Sequence, residues 1–146
     1  MTQNYPEATV GALIIKPNGE ILLAKSSKWN NRFTVPGGHI ELGERAEVAI
    51  KREVKEETGL EVDSVELLFV QQAIYPKDYQ KHQHFVFLDY VCRAKDTQVK
   101  LDGRELQEFV WVKPEHALEL DIEEYTRNFI LKFISYREGQ YKPNYS

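Results

Sequence analysis

Apolar and polar positions divide the chain into strand-like and helix-like stretches. Residues Ala8 to Lys16 are mostly β-branched and aliphatic, Pro17-Asn18-Gly19 is a turn signal, and apolar character resumes from Ile21 to Lys25, so a β-hairpin is predicted first. Polar residues Ser26 to Arg32 read as a loop, and Phe33-Thr34-Val35 as a short strand stopped by Pro36-Gly37-Gly38. From Glu44 to Thr58 the apolar spacing is helical, and Gly59 is a good residue to end it. Strand patterning returns from Leu60 to Ile74 and again from His84 to Arg93, with the polar loop Tyr75 to Gln83 between them. Phe109-Val110-Trp111-Val112 reads as another strand. Asp121 with Glu124 three residues later forms a capping box for a closing helix that carries Ile122, Tyr125, Phe129, Ile130 and Phe133. Many strands and two one-sided helices predict an α/β fold, a mixed sheet covered by helices, because each apolar helix face needs a sheet to pack on.

Composition narrows the class. A length of 146 residues predicts one domain over residues 1–146, and 42% hydrophobic with 29% charged residues predicts an ordinary packed core rather than disorder. Cys92 is the single cysteine, so no intramolecular disulfide forms and a reducing, cytoplasmic setting is expected. The apolar run Val10 to Ile15 is too short to span a membrane. Nineteen basic and 23 acidic side chains leave a net charge of -4, which offers no general attraction to nucleic acid or to an anionic membrane. A polyanionic substrate then needs its charge neutralised by something other than the chain's overall balance. A homodimer stays open on these grounds.

The helix from Glu44 to Thr58 carries the most informative residues. At about 100° per residue, Ala46, Ile50 and Val54 line the face that packs on the sheet, and Glu57 falls on nearly the same line. Glu53 lies about 60° to one side and Glu56 about 120° to the same side, so three carboxylates border the apolar stripe instead of opposing it. Like charges at these spacings repel, and carboxylates at a helix C-terminus oppose the macrodipole. Arg52, Lys51 and Lys55 offer ion pairs, which account for Glu56 but not for Glu57 on the apolar line. A hard divalent cation with oxygen ligands accounts for all three, and with no cysteine or histidine in the cluster magnesium or manganese is favoured over zinc.

The same stretch reads Gly38, five residues, Glu44, seven residues, then Arg52-Glu53-Val54-Lys55-Glu56-Glu57-Thr58-Gly59-Leu60. It resembles the Nudix box with no departure at a defining position. Phe33 to Gly37, and more loosely Glu105 to Pro114, resemble the flanking parts of that family. The resemblance implies an α/β/α sandwich and hydrolysis of a nucleoside diphosphate linked to a further group, using Mg2+ or Mn2+. It further implies that Glu53, Glu56, Glu57 and the carbonyl of Gly37 hold the metal, that Glu53 or an added carboxylate activates water, and that Arg52 orients a glutamate. Glu44, at the helix N-terminus, is expected to secure the loop and first turn.

Family members often add a glutamate from a loop near the late strand. Glu105, just after the turn signal Asp102-Gly103, is preferred for this role over Glu108, which alternates with Val110 and Val112. The loop Tyr75 to Gln83 falls where the family recognises its variable group, which makes Tyr79 and His82 candidate substrate contacts, with Arg32 and Phe33 across the sheet. Trp111 is expected to pack in the core. A likeness of Glu105 to Asp121 to bacterial Nudix nucleoside triphosphatases favours a nucleoside triphosphate, cleaved to a monophosphate and pyrophosphate. ADP-ribose, a dinucleoside polyphosphate, and a sensor that binds a nucleotide without cleaving it are the alternatives.

Overall fold

The computed structural model describes residues 3–143. Strands β1 (Glu7–Ile15) and β2 (Ile21–Ser26) form the expected hairpin, followed by a single 3-10 turn (Ser27–Trp29) and two short strands, β3 (Arg32–Thr34) and β4 (Gly37–His39). Helix α1 (Ala46–Thr58) comes next, then the long strands β5 (Val62–Ile74) and β6 (His84–Ala94), strand β7 (Leu106–Val112), the short helix α2 (Pro114–Ala117), and α3 (Glu124–Arg137). All seven strands join one mixed sheet: β1 and β6 run parallel along their whole length, and the other pairings are antiparallel.

Alternation along β1 and β6 sorts side chains to two faces, as the period of two requires. Val10, Ala12, Ile14, Tyr90 and Cys92 meet Ala49, Ile50 and Val54 of α1 on one face. Leu13, Phe69 and Val91 meet Phe129, Ile130 and Phe133 of α3 on the other. The sheet is thus covered on both faces. Among the described residues, no helix is long and apolar enough to cross a membrane.

Four local expectations need correction. Helix α1 begins at Ala46 rather than Glu44, because Arg45 is extended (φ -75°, ψ 149°) and Glu44 is spent on the loop before it, accepting a 3.0 Å bond from the Glu41 amide. Pro36-Gly37-Gly38 follows the end of β3 as expected but is not only a stop, since Gly37–His39 forms a further strand paired with Thr9 to Gly11 of β1. The strand predicted from Leu60 starts at Val62. Finally, α3 is capped by Glu123 and not by Asp121: the Glu123 carboxylate accepts from the amides of Tyr125 and Thr126, while Asp121 lies outside on Arg32. A glutamate one residue before the first turn reaches those amides as an aspartate normally would.

Ile50 is wholly buried between α1 and the sheet. Ile50→Ala should therefore cost about 2–5 kcal/mol by transfer plus cavity, read as a lower urea midpoint at unchanged slope.

Candidate active site

The site exists because two neighbouring strands separate. β1 and β2 pair only at Ile15 with Ile21; beyond that point β4 takes the edge of β1 and β3 takes the edge of β2. The chain crossing between β3 and β4 is tied to β1 by a 2.8 Å bond from the Ala12 amide to the Pro36 carbonyl. Gly37 and Gly38 permit the approach. A Cβ on Gly37 would sit 2.1 Å from the Val10 carbonyl oxygen, and one on Gly38 would sit 2.5 Å from the Glu53 carboxyl carbon. Helix α1 can therefore press its carboxylates directly against β4.

Arg52 organises the exposed side of this contact. Its guanidinium donates to both carboxylate oxygens of Glu44 (2.8 and 2.9 Å), to the His39 carbonyl (3.0 Å), to Glu53 (2.9 Å) and to Glu56 (3.3 Å). The Arg52 bonds hold the Glu44 carboxyl down to about 2. They also fix Glu53 in one place, although burial and the nearby charges of Glu56 and Glu105 still raise its carboxyl above the usual range.

Glu57 is in a different situation. It is 4% exposed and accepts a 2.7 Å bond from the Gly37 amide. Burial first, then the neighbouring carboxylates of Glu53 and Glu105, push its carboxyl up to about 9 against that single opposing bond. Across from it Lys28 donates to Glu105 at 2.5 Å. Burial is the largest single influence and works against the Lys28 charge, but the Glu105 bond and the charges of Glu105, Tyr79 and Glu57 together outweigh it and hold the ammonium above its ordinary value. Among the described residues no three carboxylate, histidine or cysteine donors already converge on one point. Glu56 is turned to Arg52 and Glu105 to Lys28, each on the best cation within reach. The donor set nonetheless suits a hard divalent cation: oxygen donors only, crowded enough to repel one another, with one of them buried.

Glu53, Glu57, Glu105, Gly37, Gly38 and Lys28 line a cavity of about 180 Å3. Aromatic rings line it as well. The Trp29 ring stands 4.8 Å from Tyr79, 6.3 Å from Phe87 and 6.0 Å from Tyr125, while Phe85 stacks 5.3 Å from Phe87. Asp89, Glu123, Gln71, Thr34 and Thr126 supply polar groups among these rings.

Of the residues expected from sequence, Glu53, Glu57, Glu105, Gly37 and Tyr79 line this cavity. Glu56 stands outside it at the rim, its side chain 58% exposed, and Arg52 reaches it only through Glu53. Arg32, Phe33 and His82 lie elsewhere. Arg32 pairs with Asp78 and Asp121, Phe33 packs on the α3 side beneath Lys25, and His82 stacks on Tyr75 at 3.7 Å. Glu108 is exposed and paired with Lys25, and Trp111 packs against the α1-side core with Lys16 over its ring. Lys28, Trp29, Phe87, Asp89 and Tyr125 were missed. For Phe85, Phe87 and Asp89 a usable signal existed, since alternation puts all three on one strand face.

A family model described as "NUDIX domain" matches residues 6–133. The chain belongs to this family. The nucleoside triphosphatase NudI of Escherichia coli K12 is 27% identical over 131 residues, covering 83% of this chain and 92% of NudI. The MutT NUDIX hydrolase from Burkholderia pseudomallei superposes with a TM-score of 0.74 at 24% identity, over 88% of this chain and 98% of that one. The NUDIX domain of Shewanella oneidensis NrtR, solved with ADP ribose, superposes with a TM-score of 0.77 at 15% identity, over 92% and 90% of the two chains. The mixed sheet between helices is thus the Nudix fold, and the chain is a Nudix hydrolase.

The buried acid of this Nudix site makes stability depend on pH. The folded, metal-free protein holds a proton on Glu57 up to about 9, whereas the unfolded chain releases it near 4.5, so the native state loses stability as pH rises through that window. Glu57→Gln keeps an acceptor for the Gly37 amide and removes the titration. In the presence of chelator its melting temperature should fall less between pH 5 and pH 9 than that of the wild type; an equal fall would contradict the assignment.

Proposed function

We propose that the protein hydrolyses a nucleoside 5′-triphosphate to the monophosphate and pyrophosphate, with Mg2+ or Mn2+ held by Glu53, Glu57 and the Gly37 carbonyl and with Glu56 completing the set from the rim. One observation carries this reading: a single cavity is lined both by the carboxylates of α1 and by clustered aromatic rings, which suits a ligand that combines an anionic group with a planar one. The 27% identity with NudI supports the choice of a triphosphate over other nucleotides. When bound, a divalent cation supplies the positive charge that lets water approach an anionic diphosphate.

The chain's own residues have distinct tasks. Arg52 keeps Glu53 in place by binding it and Glu44 together, so that the ligand geometry does not depend on a mobile side chain. Glu105, beside Glu57 on the cavity wall, accepts a proton from the attacking water. Lys28 holds that carboxylate against the β2–β3 connection and, lining the cavity itself, is the side chain we assign to a terminal phosphate. Trp29, Phe87 and Tyr125 seat the planar end and keep bulk water away from it. The buried thiol of Cys92, pushed up to about 12 by burial, is inert, consistent with the cytoplasmic setting we propose.

Hydrolysis in 18O-labelled water tests the reaction. Each nucleoside triphosphate should yield monophosphate and pyrophosphate in equal amounts, only with Mg2+ or Mn2+ present. Glu105→Gln should lower kcat by about 10²–10⁴ with little change in melting temperature. Release of single phosphate with no monophosphate, or undiminished turnover after chelation, would refute the proposal. AMP formed only from ADP-ribose or a dinucleoside polyphosphate would move the substrate class.

A further inference from the structure

Asp89 and Glu123 are buried acids in the cavity that the proposed hydrolysis does not use, and Asp89 is the less engaged of the two. Asp89 is 4% exposed and follows Phe85 and Phe87 on the cavity face of β6. Its Oδ2 accepts a 2.9 Å bond from Gln71 Nε2. That amide is itself fixed, because Nε2 also donates to the Tyr125 carbonyl (2.9 Å) and Oε1 accepts from Asn128 (3.2 Å). Glu123, the other buried acid there, is fully engaged, accepting from the amides of Thr126 (2.7 Å) and Tyr125 (2.9 Å) and from the Thr34 hydroxyl (3.3 Å).

Asp89 Oδ1 is differently placed. Space for it comes from Gly11, its partner across the β1–β6 ladder, where a Cβ would stand 3.0 Å away. Among the described residues Asp89 has no ion pair, and Lys28, a cationic side chain on the cavity wall, is committed to Glu105. A carboxyl buried in a cavity lined by aromatic rings costs free energy that an apolar residue would not, unless a polar partner arrives with the ligand.

We propose that Asp89 determines base specificity: its Oδ1 hydrogen-bonds the exocyclic group of the heterocycle seated among Trp29, Phe87 and Tyr125. The inference rests on the nucleotide reading above. Burial, and the charge of Glu123 after it, hold the Asp89 carboxyl well above the usual carboxylate range, while the Gln71 bond works the other way. A buried carboxyl with one hydrogen bond and no cation paired to it keeps its proton and stays neutral. With Oδ2 accepting from Gln71, its hydrogen sits on Oδ1 and points a donor into the cavity. A keto group accepts that hydrogen, whereas an amino group in its place meets donor with donor. The ligand class is a nucleotide whose base carries a keto group at the edge facing Asp89.

Matched pairs test this without turnover. Binding of UMP against CMP, and of IMP against AMP, is read from the fluorescence of Trp29 in a Trp111→Phe background, where Trp29 is the single tryptophan. The keto member should bind about tenfold more tightly in at least one pair. Asp89→Leu should bring that ratio to about one. Asp89→Asn should keep it, because its carbonyl can accept from Gln71 and its NH2 then faces the ligand as a donor. A wild-type preference for the amino member, no preference in either pair, or a preference that survives Asp89→Leu overturns the proposal, and the sign in the wild type decides even if the leucine variant does not fold. Keto-selective binding without triphosphate hydrolysis supports the role of Asp89 while refuting the triphosphate reading; hydrolysis without base preference does the reverse.

Discussion

A carboxylate buried on the apolar line of a helix is the constraint around which the site is arranged. Glu57 occupies a place where α1 would otherwise present an aliphatic residue to the sheet, and a charge there has one amide for a partner. Its neighbours follow from that. Gly37 brings the amide, Gly38 leaves room for Glu53 beside it, and the short strand β4 exists as a rigid platform for both. Arg52 and Lys28 stand at the periphery, binding the more exposed acids and leaving the buried one unneutralised by any side chain. Ion pairs of this kind contribute little to stability where they are exposed, so the network is better understood as a device for position.

The splitting of β1 from β2 is the second structural decision. A continuous hairpin would have closed the sheet and left no interior volume at that end. Because β3 and β4 fill the diverging edges with short pieces, the cavity opens against both the acidic helix on one face and the cap of α3 on the other. One molecule can therefore touch the carboxylates of α1 and the aromatic wall of β6 at once, and the chemistry and the recognition are built on different elements. Substitutions in the aromatic wall can change what is bound without disturbing α1.

What was legible in the sequence is what local periodicity records. The course of α1, its end at Gly59, and the conflict between Glu57 and its apolar neighbours all follow from spacing within one helix, and the Nudix box named the same residues. The rest depends on contacts between residues far apart in the chain. The partnership of Lys28 with Glu105 spans 77 residues and has no sequence signal. Gly37–His39 was hidden because a Pro-Gly-Gly run signals a turn, while here the glycines serve close approach in a paired strand. Asp121 looked like the cap of α3 because its spacing to Glu124 fits a capping box, yet the longer side chain of Glu123 takes the amides. Arg32 and His82 lie near the cavity in sequence terms but spend their side chains on Asp78, Asp121 and Tyr75.

The central claim is that the buried Glu57 is a ligand for a divalent cation, and proton release on metal binding tests it most directly. Calorimetric titration with Mn2+ at pH 7, repeated in buffers of different ionisation enthalpy, counts the protons displaced per ion. Because the Glu57 carboxyl is pushed up to about 9, a cation that binds it must expel its proton. The account predicts release approaching one proton per ion in the wild type and close to none in Glu57→Gln, which should also bind the ion more weakly. Tight binding with no proton released, or equal release from the variant, would contradict it.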